Sequence, residues 1–430
     1  MRVELFWQRQ QYRADVPMNL FIVRRIAGSP DLAALRDSLD ALMQRHEALR
    51  TRLALMDGVP VQLIQPRGAP LLETVDLSAL PVAERDQRQA ALTSEFIQQP
   101  LDLVSGPTFR IFIITGVGAD FLLGLVLHHY FGDARSMEII TTELLTLYAA
   151  TINGNSPSLA PVPAQYVDYA LWQRNLATRR GPEYIDNLRA QLSAVAAPPA
   201  LPAGHVADTG DSGSNGGACF EIDAALAAAL ARMAQASNTS AFPALLAAHQ
   251  MALAQWTGQM DAVTAVPFAA RTRQEFSNTV GYLINAMPIP SVHGNSADVQ
   301  GRIRQIRRSI VNALLWQDVS YELLEPCVCA HPPLCRTMFN YIPMRILGGT
   351  QNVDGLSVTD YLPPTLPGLL ADREQVRVMP DFVFYLRDLP NRLACDLLYN
   401  NARYTRDDMA AYSVCFTSAL AAIVNQAASS

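Results

Sequence analysis

The sequence predicts an α/β (mixed α+β) protein made of two packed units, each a sheet with helices around it. Three observations carry that expectation. The chain has 430 residues, more than one hydrophobic core ordinarily organises, and 50% of them are apolar, enough to fill two cores. Strand-like and helix-like segments alternate through both halves. Early in the second half, a proline-rich and then glycine-rich run from Pro198 to Gly217 reads as a loop. The expected division is a first unit of residues 1–175 and a second of residues 176–430.

In the first unit, Leu32, Leu35, Leu39 and Leu42 recur at helical spacing and predict a helix. Strand signals follow at Pro60 to Ile64, Thr108 to Ile114 and Phe121 to Leu127. Gly116 and Gly118 turn the hairpin between the last two, which explains a spacing that otherwise copies half a dinucleotide-binding fingerprint. The amphipathic run Met137 to Tyr148 predicts the next helix. In the second unit the expected helices are Pro182 to Ala194, Ala224 to Ala236, Ala241 to Trp256 and Val299 to Leu315. The expected strands are Ala262 to Pro267, Thr337 to Tyr341, Asp381 to Tyr385 and Leu393 to Tyr399. The extended composition of Tyr361 to Pro367 predicts a crossover that ties the halves together.

The chemistry is concentrated after the strand Phe121 to Leu127, where the chain reads LVLHHYFGD from Leu125 to Asp133. His128, His129 and Asp133 lie on a strand-to-helix loop, a place from which side chains can be aimed at a substrate. An imidazole exchanges protons near neutral pH, and a neighbouring carboxylate fixes its tautomer or anchors the loop. The same residues also have a plainer explanation, with Asp133 capping the helix and His128 hydrogen-bonded in the core.

Composition removes several function classes. The formal net charge is −6 and no basic segment is interleaved with aromatics, so nucleic acid is not an expected partner. The chain has no lysine, which excludes a Schiff-base or phosphate-binding lysine. The first residues mix charge with apolar side chains, unlike a secretory or transit segment, and no span reads as a membrane helix. Six cysteines in so long a chain do not read as a disulfide framework, so a reducing cytoplasmic setting is expected. Cys327, Cys329, His331 and Cys335 collect soft ligands without the paired spacing of a zinc site, and no metal is expected. Gly210-Asp-Ser-Gly213 copies a protease nucleophile signature inside the Gly/Ser-rich run, where composition predicts a loop rather than a rigid oxyanion hole.

Five further segments are distinctive: QRHEALRT from Gln44, YVDYALWQR from Tyr166, VPFAAR from Val266 continuing to GYLINAMP from Gly281, WQDVSYE from Trp316 and PLCRTMFN from Pro333. With the HHxxxD motif, and in this order, they resemble the RHExLRT, YxDYAxWQR, GR…GxFVNTLP, QDVPFE and PLFQVMFN blocks of the condensation domains of nonribosomal peptide synthetases. These form part of the HHxxxDG acyltransferase superfamily. The resemblance spans most of the chain and implies two chloramphenicol-acetyltransferase-like lobes forming a V-shaped pseudodimer with a central tunnel. It implies transfer of an acyl or peptidyl group from a carrier-protein phosphopantetheine thioester to an amine or hydroxyl, giving an amide or ester. The acceptor would be a small molecule or carrier-bound, no cofactor would be tightly bound, and the phosphopantetheine arm would come with the carrier. The catalytic residues it implies are His129, which accepts or positions a proton, with His128 and Asp133 supporting it and Arg271 pairing Asp133. Gly132, Ala134, Asn285 and Asn340 are the candidate tunnel-lining residues. Ala134 departs from the family glycine, a change expected to narrow the channel or shift the loop. Two alternatives stay open: an inactive condensation-like platform that recruits a tailoring enzyme, and a CoA-dependent acyltransferase.

Overall fold

A computed structural model of the chain describes residues 19–57, 59–68, 71–192, 215–259, 262–291, 299–328, 334–342, 351–361, 381–389, 392–401 and 403–428. Of the segments singled out above, the first residues, Ala194, Pro198–Ser214 with its Gly210–Gly213 motif, Cys329, His331, Pro333 and all but the first residue of Tyr361–Pro367 lie outside these residues. The chain splits into two compact units. The first contains Met1–Arg174, Arg271–Ile284 and Arg345–Leu366; the second contains Asn175–Ala270, Asn285–Met344 and Pro367–Ser430. One boundary thus falls next to the expected division at 175/176, but the second half is not continuous. Two of its segments join the first unit, because Arg271 pairs with Asp133 and Leu356–Asp360 pairs with a first-unit strand.

The first half supplies strands β1 (Asn19–Ala27), β2 (Thr51–Met56), β3 (Val59–Ile64), β4 (Leu71–Asp76), β5 (Phe109–Val117) and β6 (Asp120–His128). The second half supplies β7 (Asn215–Ile222), β8 (Ala262–Phe268), β9 (Asn285–Ser291), β10 (Thr337–Ile342), β11 (Gln351–Val353), β12 (Leu356–Asp360), β13 (Phe382–Leu389) and β14 (Arg392–Asn400). The helices are α1 (Leu32–Arg45), α2 (Val82–Gln98), α3 (Ala134–Ile152), α4 (Tyr166–Leu192), α5 (Ala224–Ala236), α6 (Phe242–Thr257), α7 (Val299–Trp316), α8 (Tyr321–Val328) and α9 (Arg406–Ala428). The helix expected from Pro182 is the second part of α4, which continues through that proline with Tyr184 and Leu188 buried beyond it.

The first unit is built on a six-stranded sheet in the order β11-β12-β1-β6-β5-β4, antiparallel except for β4 beside β5. Alternation on the central strands assigns its two faces. Phe109, Ile111 and Ile113 of β5, with Leu123, Leu125 and Leu127 of β6, join a core with Leu35, Leu39 and Leu42 of α1 and Ile140 and Leu144 of α3. On the other face Phe112 stacks on Phe96 of α2 at 4.8 Å. Gly124 permits that packing, since a methyl there would overlap the Phe112 ring. Asp31 starts α1 by accepting the N–H groups of Ala33 and Ala34, both at 3.0 Å.

The second unit has its own six-stranded sheet, β7-β14-β13-β10-β8-β9, with β10 parallel to both its neighbours. Its core joins α6, α7 and α9 to that sheet. Among the described residues Arg406–Gln426, most of α9, is long and apolar enough to cross a membrane, contrary to the sequence expectation that no span qualifies. Its apolarity has a packing cause: Met409, Tyr412, Phe416, Leu420 and Ile423 are completely buried in the core.

In the same core His249 of α6 sits 2.6 Å from the Tyr412 hydroxyl, among Phe339, Phe382 and Phe384. Burial lowers its pKa to about 3. The unfolded chain binds a proton near pH 6.5 that the folded protein refuses, so the contribution is complete above that pH and is lost on acidification. The expected loss is about 1.4 kcal/mol per pH unit between roughly pH 6 and 4. Urea midpoints measured across this range should fall more steeply for the wild type than for His249→Gln, and parallel curves would refute the assignment.

Candidate active site

β6 delivers the motif. His128 is its last residue, on the face opposite Leu127, and is 3% exposed. The backbone N–H of Tyr130 donates to its Nδ1 at 3.2 Å, so the ring hydrogen resides on Nε2. Burial, and secondarily the neighbouring His129, lowers the His128 pKa to about 3, which keeps it neutral. Its position is that of a packed, hydrogen-bonded residue, and the support role expected for it fits better than proton transfer.

His129 is the first residue beyond the strand and is only half-buried. The chain turns back here, with Phe131 N–H donating to the His128 carbonyl at 2.9 Å, and the turn brings the Gly132 carbonyl within 2.8 Å of His129 Nδ1. A carbonyl only accepts, so Nδ1 carries the hydrogen and Nε2 carries the basic lone pair. The Tyr282 ring lies edge-on to the imidazole at 5.2 Å between centroids. Gly132 contributes through its backbone: a methyl there would overlap Leu127 and crowd Ser136.

Asp133 is fully buried and makes both kinds of contact weighed from the sequence. It caps α3, its Oδ1 accepting from the Ser136 N–H and hydroxyl, each at 2.9 Å. It also takes a two-pronged bond from Arg271, Nη2 to Oδ1 and Nη1 to Oδ2, both 2.8 Å, while Leu283 N–H donates to Oδ2 at 3.1 Å. Burial alone would raise this carboxyl's pKa, but the Arg271 charge and these hydrogen bonds outweigh it and hold the group below its ordinary range. Ser136 extends the link, with its hydroxyl 2.9 Å from the Gly281 carbonyl and accepting the Gly281 N–H at 3.1 Å. The aspartate therefore fastens the start of α3 to residues 271–283 and is not presented to a substrate. Ala134 opens α3 in ordinary helical backbone with an exposed side chain, so this position makes no demand for glycine.

The motif-like blocks at Gln44 and Tyr166 brace the same unit. Arg45 and His46 both reach Glu143 of α3, at 2.7 Å each, and Gln165 bonds the backbone of Arg45 and Glu47. Tyr169 donates to the Leu283 carbonyl at 3.3 Å. Asn285 and Asn340 belong to the second unit. The Asn285 amide is buried and bonds the carbonyls of Gln317 and Val319, at 2.9 and 2.6 Å, and the Tyr321 N–H at 3.3 Å. These bonds give it to the loop between α7 and α8, and the lining role expected for it is not the one this geometry supports. Asn340 lies half-buried on β10 opposite Tyr385 of β13. Ser136, Glu143 and Tyr282 were not singled out from sequence; a hydrogen-bonding residue three places after a capping Asp133 was a signal for the first, whereas nothing local marked the other two.

Comparison with known proteins identifies the family. Residues 7–430 match the family model described as Condensation domain. A linear gramicidin synthase from Brevibacillus parabrevis is 30% identical over 94% of this chain, which spans 8% of that protein. The beauvericin nonribosomal cyclodepsipeptide synthetase of Beauveria bassiana is 32% identical over 69% of the chain and 9% of its own length. Among solved structures, SgcC5 protein from Streptomyces globisporus, in complex with (R)-(-)-1-(2-naphthyl)-1,2-ethanediol and sucrose, aligns with a TM-score of 0.79 and 25% identity, covering 95% of this chain and 93% of that one.

Proposed function

The chain belongs to the condensation-domain family of nonribosomal peptide synthetases, and from that premise we propose that it transfers an acyl or peptidyl group from a carrier-protein phosphopantetheine thioester to an amine or hydroxyl. Condensation domains are acyltransferase-type enzymes that work on carrier-bound substrates. The observation that carries the reading for this chain is the 2.8 Å contact of His129 Nδ1 with the Gly132 carbonyl, which leaves Nε2 as the ring's base. In the proposed step the acceptor N–H or O–H faces Nε2. As its nitrogen or oxygen bonds to the thioester carbonyl carbon, the proton passes to the imidazole. Collapse of the tetrahedral intermediate breaks the C–S bond, and the proton returns to the departing pantetheine sulfur. The ring ends as it began, and no other reactant is needed.

His128 stays neutral and packed through this cycle, while Asp133 and Arg271 keep the Gly132 carbonyl in place from the next residue. Both amide and ester products fit the family, since its relatives here include peptide and cyclodepsipeptide synthetases.

The test is intact-mass measurement on peptidyl-carrier domains loaded with octanoyl-phosphopantetheine, incubated with the protein and a panel of amines and alcohols. Loss of the octanoyl mass from the carrier, with matching appearance of an octanoyl amide or ester, is expected. A carrier that binds while its thioester survives every acceptor would replace this reading with the recruiting platform.

A further inference from the structure

The chain leaves the second unit after Ala270 and returns to it at Asn285, and residues 271–284 in between belong to the first unit. That excursion carries Arg271, bonded to Asp133, and Tyr282, edge-on to His129. One residue reaches both of its ends. Gln317, the first residue after α7, accepts the Ala270 N–H on Oε1 at 3.2 Å, and its backbone carbonyl accepts from the Asn285 amide at 2.9 Å. Its Nε2 meanwhile donates at 3.1 Å to the Leu314 carbonyl, one of the last four of α7, which have no partner within a helix. With an N–H against its oxygen and a carbonyl against its nitrogen, the Gln317 amide has only one orientation that satisfies both.

The backbone at Ala270 gives this staple a purpose. Four non-glycine residues have positive φ among the described residues; Asp57, Asn238 and Asp354 are of the types that tolerate it, and the fourth is Ala270, at +46°. Ala270 is completely buried, and its methyl group makes the left-handed region costly where glycine would enter it freely. The GR block that this segment resembles has glycine before the arginine, whereas here it is alanine. A residue is kept in such a conformation only where its surroundings over-determine it, and positions of this kind collect at functional sites. The bond to Gln317 is one such constraint, and the residue that Ala270 steers is the one whose guanidinium grips Asp133. We propose that Gln317 is a positioning residue for acyl transfer: by pinning Ala270 and Asn285 it sets residues 271–284, and with them the Asp133 anchor and the Tyr282 ring that hold the His129 imidazole in its working orientation. The proposal rests on the acyl-transfer reading above. Gln317 acts along the chain from those two points and touches no reacting atom.

The experiment compares wild type with Gln317→Met, which keeps the length of the side chain and removes both bonds of its amide, and with Gln317→Met/Ala270→Gly. Transfer of octanoyl from a peptidyl-carrier domain is measured per folded molecule. The ring nitrogens of isotopically labelled histidines are followed by NMR, with the His129 signals assigned by their loss in His129→Gln. The wild type should show the Nδ1–H tautomer at His129. Gln317→Met should lower kcat about tenfold or more and move the His129 signals toward an average of the two tautomers. Adding Ala270→Gly should recover most of both, because glycine holds the left-handed backbone without the staple. Gln317→Glu keeps an acceptor for Ala270 but sets its charge against the Leu314 carbonyl. It should show the same pair of changes to a smaller extent, and it answers the question by itself if the methionine variant does not fold. An unchanged kcat, a lower kcat with unmoved His129 signals, or a double variant no better than Gln317→Met would each overturn the proposal, leaving Gln317 as a cap on α7. If the wild type transfers nothing, the function reading fails by itself and the His129 signals decide: moved by Gln317→Met and restored by Ala270→Gly, they support the positioning role, and unmoved or unrestored they overturn it.

Discussion

His129→Ala is expected to lower turnover of a carrier-borne thioester by about 10² to 10⁴, the span that general-base assistance ordinarily supplies. The effect should be on kcat with little change in stability. The ring is half-buried, and its loss removes one hydrogen bond to a backbone carbonyl, worth about 1 kcal/mol. Carrier affinity should survive, because nothing in the proposed role of this ring involves the carrier surface. His129→Gln is the sharper companion: its amide can still donate a hydrogen bond but offers no basic nitrogen, so it should be as slow as alanine. A glutamine variant with near wild-type turnover would mean that the ring only positions the acceptor and accepts no proton. His128→Gln should behave oppositely, losing stability through its buried site more than it loses rate per folded molecule.

How much of this was legible in the residues depended on how local the signal was. β5, β6 and α6 are marked by nearly continuous apolar runs and α5 and α7 by a helical apolar stripe, and their observed limits lie within a few residues of those expected. β1 was missed because Arg24 and Arg25 interrupt its apolar run; in the folded chain Arg24 pairs with Asp360 across the β1–β12 ladder and Arg25 lies 5.3 Å over the Tyr361 ring. β7 was missed because Gly216 and Gly217 read as loop, whereas the absent side chain at Gly216 makes room for Tyr399 on the paired strand. The α4 helix was started only at Pro182, a residue favoured in a first helical turn, and its part from Tyr166 to Gly181 was missed. For the site, adjacency in sequence was enough to single out His128, His129 and Asp133. Arg271 lies 138 residues away from Asp133, and only the motif-like block containing it made it a candidate. The state of His129 was not readable at all, since it is set by a backbone carbonyl, and a carbonyl has no sequence identity.

Removing either partner of the Asp133–Arg271 pair should destabilise the protein by about 3–5 kcal/mol, because the survivor is left as an uncompensated buried charge. The two losses differ in kind. Asp133→Ala strands the guanidinium at every accessible pH and also uncaps α3, a further cost of about 1 kcal/mol. Arg271→Ala strands a carboxylate that can escape by taking a proton. In the wild type the Asp133 pKa is depressed, so its contribution is complete above the unfolded value near 4 and is lost only as pH falls through the lower folded value. Without Arg271 the burial that opposes ionisation is no longer outweighed, and the folded carboxyl is expected to titrate above the unfolded one. The Arg271→Ala deficit should therefore be largest near pH 7 and shrink on acidification while the wild type still holds its ion pair. Over the same interval the Asp133→Ala deficit should stay flat. The double variant should cost less than the two singles added together, by roughly 0.5–3 kcal/mol. Urea unfolding of the four proteins at pH 7.5, 6.0 and 5.0 provides the comparison. Additive losses with no pH dependence would show that the pair is not the unit that holds residues 271–283 to the start of α3. Turnover per folded molecule completes the separation of roles: a folded Asp133→Ala protein that retains its rate confines the aspartate to stability, whereas one that folds and has lost its rate shows that fixing the Gly132 carbonyl, and through it His129, is part of the chemistry.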